Sequence, residues 1–212
     1  MKLNALEKAL MNNPARGWFQ RRYEAPLFER LGGRIDGLRA LEIGCGRGVG
    51  TQIIFEQFGA LEVQAFDLDP AMVDLARGRL KGYPPERLKL SVGDATAIEA
   101  EDESFDAVID FGILHHVTDW QAAVAEIRRV LRPGGRFFFM EVTRRALTRR
   151  SYCHLFAHPT MNRFSRAEFT AELERQRIAV GSNVVERFFG DFIYGVGRAQ
   201  AAKAVMRADQ AR

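Results

Sequence analysis

"RALEIGCGRGVGT" (Arg39–Thr51) carries four glycines on alternate positions, Gly44, Gly46, Gly48 and Gly50, directly after a short apolar run and a glutamate. Glycine loses more backbone entropy on folding than any other residue. Four in one loop mark a place where the backbone turns tightly or is approached closely. The run before them, 38–43, reads as a short strand, and Val49, Ile53, Ile54 and Phe58 recur at helical spacing over 48–58. A strand, a glycine turn and a helix in that order aim backbone N–H groups at a ligand.

The same alternation continues along the chain. "LEVQAF" (61–66) and "LKLSV" (88–92) alternate as strands, separated by a helix that Pro70 opens and that carries Met72, Val73, Leu75, Ala76 and Leu80. "FDAVIDF" (105–111) reads as a buried strand. A helix over 118–131 follows, with Thr118 or Asp119 as cap and Gln121 placed for a capping box. "PGG" (133–135) stops it, and "RFFFMEV" (136–142) is a strong strand. "SRAE" (165–168) is a second capping-box pattern, opening a helix to about Arg177. Residues 178–189 and 192–199 read as strands joined at Gly190–Asp191, so close that they must run antiparallel. Upstream, 3–12 and 16–31 read as amphipathic helices separated at Pro14. The expected fold is α/β: a Rossmann-like, doubly wound, mostly parallel seven-stranded sheet with helices on both faces and a C-terminal antiparallel hairpin.

The composition sets limits on this. The chain has 212 residues, 47% of them hydrophobic, which suits one domain with a substantial core. No apolar run approaches the roughly 18 residues that a membrane span needs. The start breaks its apolar residues with Glu7, Lys8 and Asn12, unlike a signal peptide. Cys45 and Cys153 are the only cysteines, so there is no disulfide framework and no zinc spacing, and no metal site is expected. These features describe a soluble cytoplasmic protein. The formal charge of +4 is mild for a dedicated nucleic-acid binder. Arginines do cluster at Arg16, Arg21 and Arg22 and at Arg144, Arg145, Arg149 and Arg150; the second cluster is compatible with peripheral membrane contact.

In doubly wound sheets ligands bind beyond the carboxyl ends of the strands, where strand order reverses. The glycine loop there fails the dinucleotide pattern G-x-G-x-x-G, because Val49 or Thr51 stands where the third glycine belongs. Glu42 beside the loop would repel a pyrophosphate and suits an ammonium group. Asp67, 23 residues beyond Gly44, is placed to accept from ribose hydroxyls, and Asp94 in "GDA" can accept from an adenine amine. An amine, a ribose and an adenine without a phosphate describe S-adenosylmethionine.

"LEIGCGRG" (41–48), "FDLDPAMVDLAR" (66–77), "GDA" (93–95), "FDAVIDFGILHHV" (105–117) and "RVLRPGGRFFFMEV" (129–142) occur in the order and spacing of class I S-adenosylmethionine-dependent methyltransferases. The chain resembles that family, and most of all its small single-domain branch that includes the ubiquinone/menaquinone-biosynthesis C-methyltransferases. The resemblance implies that Glu42, Gly44, Cys45 and Gly46 hold the methionine end of the cofactor. Asp67 then binds the ribose, and Leu68 and Met72 pack near the adenine. Asp94 and the Ala95 N–H meet the adenine amine edge, and Asp110, Phe111 and Gly112 lie near the sulfonium. Asp110, His115 and His116 are the candidate catalytic groups. Residues 1–37 are expected to form a lid offering Trp18, Phe19 and Tyr23. Residues 38–200 would form the cofactor domain, with an acceptor-pocket insert over 143–164 offering Tyr152, His154, Phe156 and His158. Residues 201–212 would form a tail. The implied activity is methyl transfer to a small, planar or apolar acceptor. An RNA methyltransferase and a non-catalytic S-adenosylmethionine-binding protein remain as other readings.

Overall fold

The computed structural model describes residues 13–148 and 162–201; the expected helix over 3–12, the side chains of Tyr152, His154, Phe156 and His158, and residues 202–212 lie outside them. Asn13 caps the first described helix, accepting from the Ala15 N–H at 2.9 Å, and Pro14 occupies its first position. Pro14 therefore opens α1 (Pro14–Phe19), two residues before the expected start at 16, because the missing N–H of proline costs nothing in a first turn. A π-helical turn (Gln20–Glu24) joins α1 to α2 (Ala25–Gly32).

Strands and helices then alternate as β1 (Arg39–Ile43), α3 (Val49–Glu56), β2 (Glu62–Asp67), α4 (Pro70–Leu80), β3 (Leu88–Val92), β4 (Phe105–Asp110), α5 (Trp120–Val130) and β5 (Leu131–Val142). Among the described residues, α6 (Arg144–Leu147), α7 (Arg166–Arg175), β6 (Ile178–Ala179), β7 (Val184–Arg187) and β8 (Phe192–Ala199) follow. The sheet order is β3-β2-β1-β4-β5-β8-β6, with β7 also on β8. The pairs from β3 to β5 are parallel and those with β8 antiparallel. The expected strand 178–189 is two segments. Ile178 pairs Ala199 whereas Val184 pairs Gly195, a two-residue change of register across Val180–Asn183, where Gly181 has φ +51°. Counted as one interrupted strand, β6 and β7 complete the seven-stranded sheet.

Alternation along the strands feeds two cores. Phe137 and Phe139 face α5 and α7, packing with Trp120, Ile127 and Phe169. Phe138 and Met140 face the other way, onto Phe28, Ile54 and Phe58. These rings are fully buried, each worth roughly 1.5–3 kcal/mol of burial. Asp69 caps α4 through the Ala71 N–H at 3.1 Å, and Ser165 and Glu168 form the expected capping box of α7. The box expected at Gln121 does not form. Asp119 caps α5 through the Ala122 N–H, and Gln121 bonds Asn162 instead. β1 and β4 are neighbours, so strand order reverses between them and a crevice opens beyond Ile43 and Asp110.

Candidate active site

A cavity of about 370 Å³ fills that crevice. Gly44, Gly46 and Gly48 turn the chain from β1 into α3 at φ +70°, +50° and +82°. A side chain on Gly44 would strike Ile113, 2.3 Å from the nearest atom, whereas the Cβ position of Gly46 has nothing within 4 Å. The first glycine thus lets loop and Ile113 meet, and the second leaves open space against the backbone. A Cβ on Gly50 would lie 2.0 Å from the Glu42 carboxylate and 2.7 Å from the Phe111 ring. Gly50 therefore makes room for a site residue.

Glu42 is 2% exposed, lines the cavity and accepts from the Thr51 hydroxyl. Burial pushes its carboxyl up to about 8, against the lowering effect of the Thr51 bond; the charges of Asp67 and Asp110 push it further up. A buried acid held protonated in this way is primed to ionise when a cation arrives. Asp67 also lines the cavity. Its carboxylate accepts from the N–H of Gly46 and of Asp69, each at 2.9 Å, which locks it against the glycine loop. Asp94 accepts from the Thr96 N–H and hydroxyl, both at 2.8 Å and both on Oδ1. Leu68, Met72, Ala95, Phe111, Gly112 and buried Cys45 complete the expected wall. Burial also raises the Cys45 thiol, so it is a packing group and no nucleophile.

Two candidate catalytic groups are placed elsewhere. Asp110 is fully buried and does not line the cavity. Its Oδ1 accepts from the N–H of Gly112 and Ile113 at 2.7 and 2.8 Å, shaping the turn after β4. His115 is also buried outside the cavity, its Nδ1 2.6 Å from Glu141 Oε2. Glu141 further accepts from the N–H of Leu114 and His115 at 2.8 and 3.0 Å. Burial raises both Asp110 and Glu141, and their mutual proximity keeps one of the two carboxyls protonated. This buried set holds the single helical turn Leu114–His116 and presents His116, which does line the cavity. Asp110 pairs Phe139 across β4 and β5, so Glu141 falls two residues on, on the same face. The two acids at the ends of these strands were the available signal.

The N-terminal helix does reach the cavity, though not through its aromatic residues. Arg16, Gly17 and Gln20 line it. Gly17 allows α1 to lie on Val49, where a Cβ would be 3.3 Å away. Arg16 pairs with buried Glu24 at 2.7 Å and reaches the Phe111 carbonyl at 3.4 Å. Trp18 is 65% exposed, and Phe19 stacks on Tyr23, whose hydroxyl accepts from Arg187 Nε at 2.9 Å. None of these three lines the cavity.

Residues 41–139 match the methyltransferase-domain family. A probable S-adenosylmethionine-dependent methyltransferase of Mycolicibacterium smegmatis is 38% identical over 120 residues, 57% of this chain and 43% of the relative. The demethylmenaquinone methyltransferase of Staphylococcus aureus is 37% identical over 113 residues, 52% of this chain and 46% of the relative. This chain thus covers less than half the length of either. The crystal structure of a methyltransferase from Aquifex aeolicus superposes with a TM-score of 0.71 over 93% of this chain and 98% of that one, at 20% identity, a likeness of fold. The fold is that of the class I methyltransferases. Over residues 41–139 the chain is therefore similar in sequence to methyltransferase domains, S-adenosylmethionine-dependent ones among them.

Proposed function

We propose that the protein transfers a methyl group from S-adenosylmethionine to a small, planar or apolar acceptor by in-line displacement. The observation that carries this is the meeting of Glu42, Asp67 and Asp94 on one cavity against an open glycine loop. The donor set fits the cofactor: a protonated acid ready to ionise beside an ammonium group, a locked carboxylate for ribose hydroxyls and an acceptor for an adenine amine. Leu68 and Met72 would flank the adenine. Bound there, S-adenosylmethionine supplies a methyl group on a positively charged sulfur that leaves without acid assistance.

The remaining work of the chain is alignment, exclusion of water and removal of a proton where the acceptor carries one. Phe111, Ile113 and Val117 provide an apolar wall beside the loop. α1 and the π-helical turn after it act as the lid, with Arg16 and Gln20 over the cavity. His116 is the group for the proton. Its Nδ1 is buried, which leaves Nε2 for the acceptor. Asp110, Glu141 and His115 position it. In this reading the insert over 143–164, with Tyr152, His154, Phe156 and His158, supplies the rest of the acceptor pocket. The cytoplasm is the compartment in this reading, consistent with two distant cysteines, and no nucleic acid is required.

Calorimetry with S-adenosylhomocysteine and NAD is the direct test. S-adenosylhomocysteine binds, NAD does not, and Asp67→Ala weakens binding by about 10- to 100-fold, as loss of charge-assisted hydrogen bonds demands. NAD binding without S-adenosylhomocysteine binding overturns the reading. His116→Asn then leaves S-adenosylhomocysteine affinity unchanged and lowers kcat by about 10²- to 10⁴-fold on a protic acceptor.

A further inference from the structure

The turn between β7 and β8 holds two phenylalanines where glycine or asparagine would be expected. Phe188 and Phe189 have φ of 52° and 60°, followed by Gly190 at 85°. L side chains avoid this left-handed region, bulky ones most of all, and runs of it are rarer than single residues. The rings are nonetheless offered to solvent, Phe188 52% and Phe189 86% exposed. The ring contact made at the tip, among the described residues, is Phe188 edge-on to Phe192 at 5.5 Å. Among the described residues, neither backbone preference nor core packing accounts for two aromatic rings there.

The tip is also anchored. Thr143, just past β5, donates its N–H to the Asp191 carbonyl at 2.9 Å and its hydroxyl to the Gly190 carbonyl at 2.7 Å. This holds the rings at the carboxyl end of the parallel strands, the end where the cofactor cavity lies. Arg187 directly precedes them; the Arg145 guanidinium and the Glu186 carboxylate each come 3.7 Å from where a Gly190 Cβ would stand, and Arg166 pairs with Glu186 at 3.7 Å. The exposed Trp18 lies on α1, which packs over the same end of the sheet.

We propose that this tip seats the protein on an anionic lipid bilayer. Phe188 and Phe189 enter the boundary between headgroups and acyl chains, and Arg145 and Arg187 lie against lipid phosphates. The size of the patch favours a bilayer over a protein partner. Two phenylalanines bury at most about 500 Å², whereas a stable protein interface takes about 800 Å² per side. A bilayer needs no matching surface, and aromatic rings with a cationic rim suit its interface. The Arg145 and Arg187 charges complement anionic headgroups, and the chain as a whole carries +4. With the tip seated, the acceptor side of the cavity is close to the membrane, which selects acceptors that dissolve in lipid. That last consequence rests on the proposed methyl transfer; the docking itself does not.

The test is co-sedimentation of the full chain with vesicles of phosphatidylcholine alone or with one-third phosphatidylglycerol. Binding is expected to the anionic vesicles, at least about ten-fold weaker to the neutral ones, and to fall with salt. Phe188→Asn/Phe189→Asn keeps residues that accept the left-handed backbone. It is expected to lose about ten-fold or more in vesicle affinity with Tm and S-adenosylhomocysteine affinity maintained; Arg145→Glu weakens the anionic preference. No binding by the wild type, or equal binding by the double asparagine variant, overturns the proposal. So does a wild-type dimer that the asparagine variant dissolves, which assigns the tip to a second copy of the chain. Loss of S-adenosylhomocysteine binding in the wild type, with vesicle binding intact, refutes the methyltransferase reading alone.

Discussion

Replacing Gly50 by alanine sets two effects against each other. Gly50 lies in the first turn of α3, and alanine is favoured over glycine in a helix by up to about 1 kcal/mol. Packing opposes this. The new Cβ would stand 2.0 Å from Glu42 Oε1 and 2.7 and 2.9 Å from two atoms of the Phe111 ring. Neither neighbour can yield cheaply. Glu42 is buried and bonded to Thr51, and the Phe111 ring packs on Phe28 with centroids 5.7 Å apart. Overpacking of this kind costs about 1–3 kcal/mol, which after the helix gain leaves a net destabilisation of up to about 2 kcal/mol, with Glu42 displaced from its place on the cavity. The packing cost alone, expressed in binding, is a loss of about 5- to 150-fold in S-adenosylhomocysteine affinity. Gly78 is the internal control. It sits exposed in α4, and its Cβ would have nothing within 4 Å, so Gly78→Ala gains about 1 kcal/mol and leaves binding alone. Urea unfolding and calorimetry of both variants decide the matter. If Gly50→Ala is as stable as Gly78→Ala and binds within about two-fold of wild type, the close approach of α3 to Glu42 has no energetic consequence and the reasoning fails.

Glu42 also carries a pH prediction. Its carboxyl is raised from 4.5 to about 8, so its contribution to stability is fully present below about 4.5 and is lost as pH rises to about 8. Urea unfolding across that window should show the decline in the unliganded protein, and Glu42→Gln should flatten it. Binding of an ammonium-bearing ligand at pH 7 should release up to about one proton from the wild type, read from calorimetry in buffers of different ionisation enthalpy, and close to none from Glu42→Gln. Ser165→Ala removes the cap of α7 and should cost about 1 kcal/mol in urea unfolding without changing S-adenosylhomocysteine affinity.

Local chemistry made much of this protein legible. Strand and helix periods, the glycine loop, the Pro70 start of α4 and the Ser165–Glu168 box depend on neighbours within a few residues, and they appear in the structure as read. Glu42, Asp67 and Asp94 were legible as a group because each follows or closes a strand of one parallel sheet, and such strands end on the same side. What needed the tertiary structure was every choice of which face meets what. His115 and His116 are adjacent in sequence, yet the Glu141 carboxylate from the next strand draws one into the core and leaves the other on the cavity. Asp110 looks like a site acid until its neighbour on β5 is placed beside it. On α1 the aromatic residues drew attention, but close approach to Val49 at Gly17 turns Arg16 and Gln20 inward and leaves Trp18 outside. The break between β6 and β7 and the exposed Phe188–Phe189 turn likewise follow from pairing with β8 and from Thr143 holding Gly190 and Asp191. The sequence by itself determined the elements, their order and the three acids that line the cavity, since those follow from short-range periodicity and strand direction. The tertiary structure decided which candidate side chains reach the cavity, because burial and pairing of charges depend on residues distant along the chain.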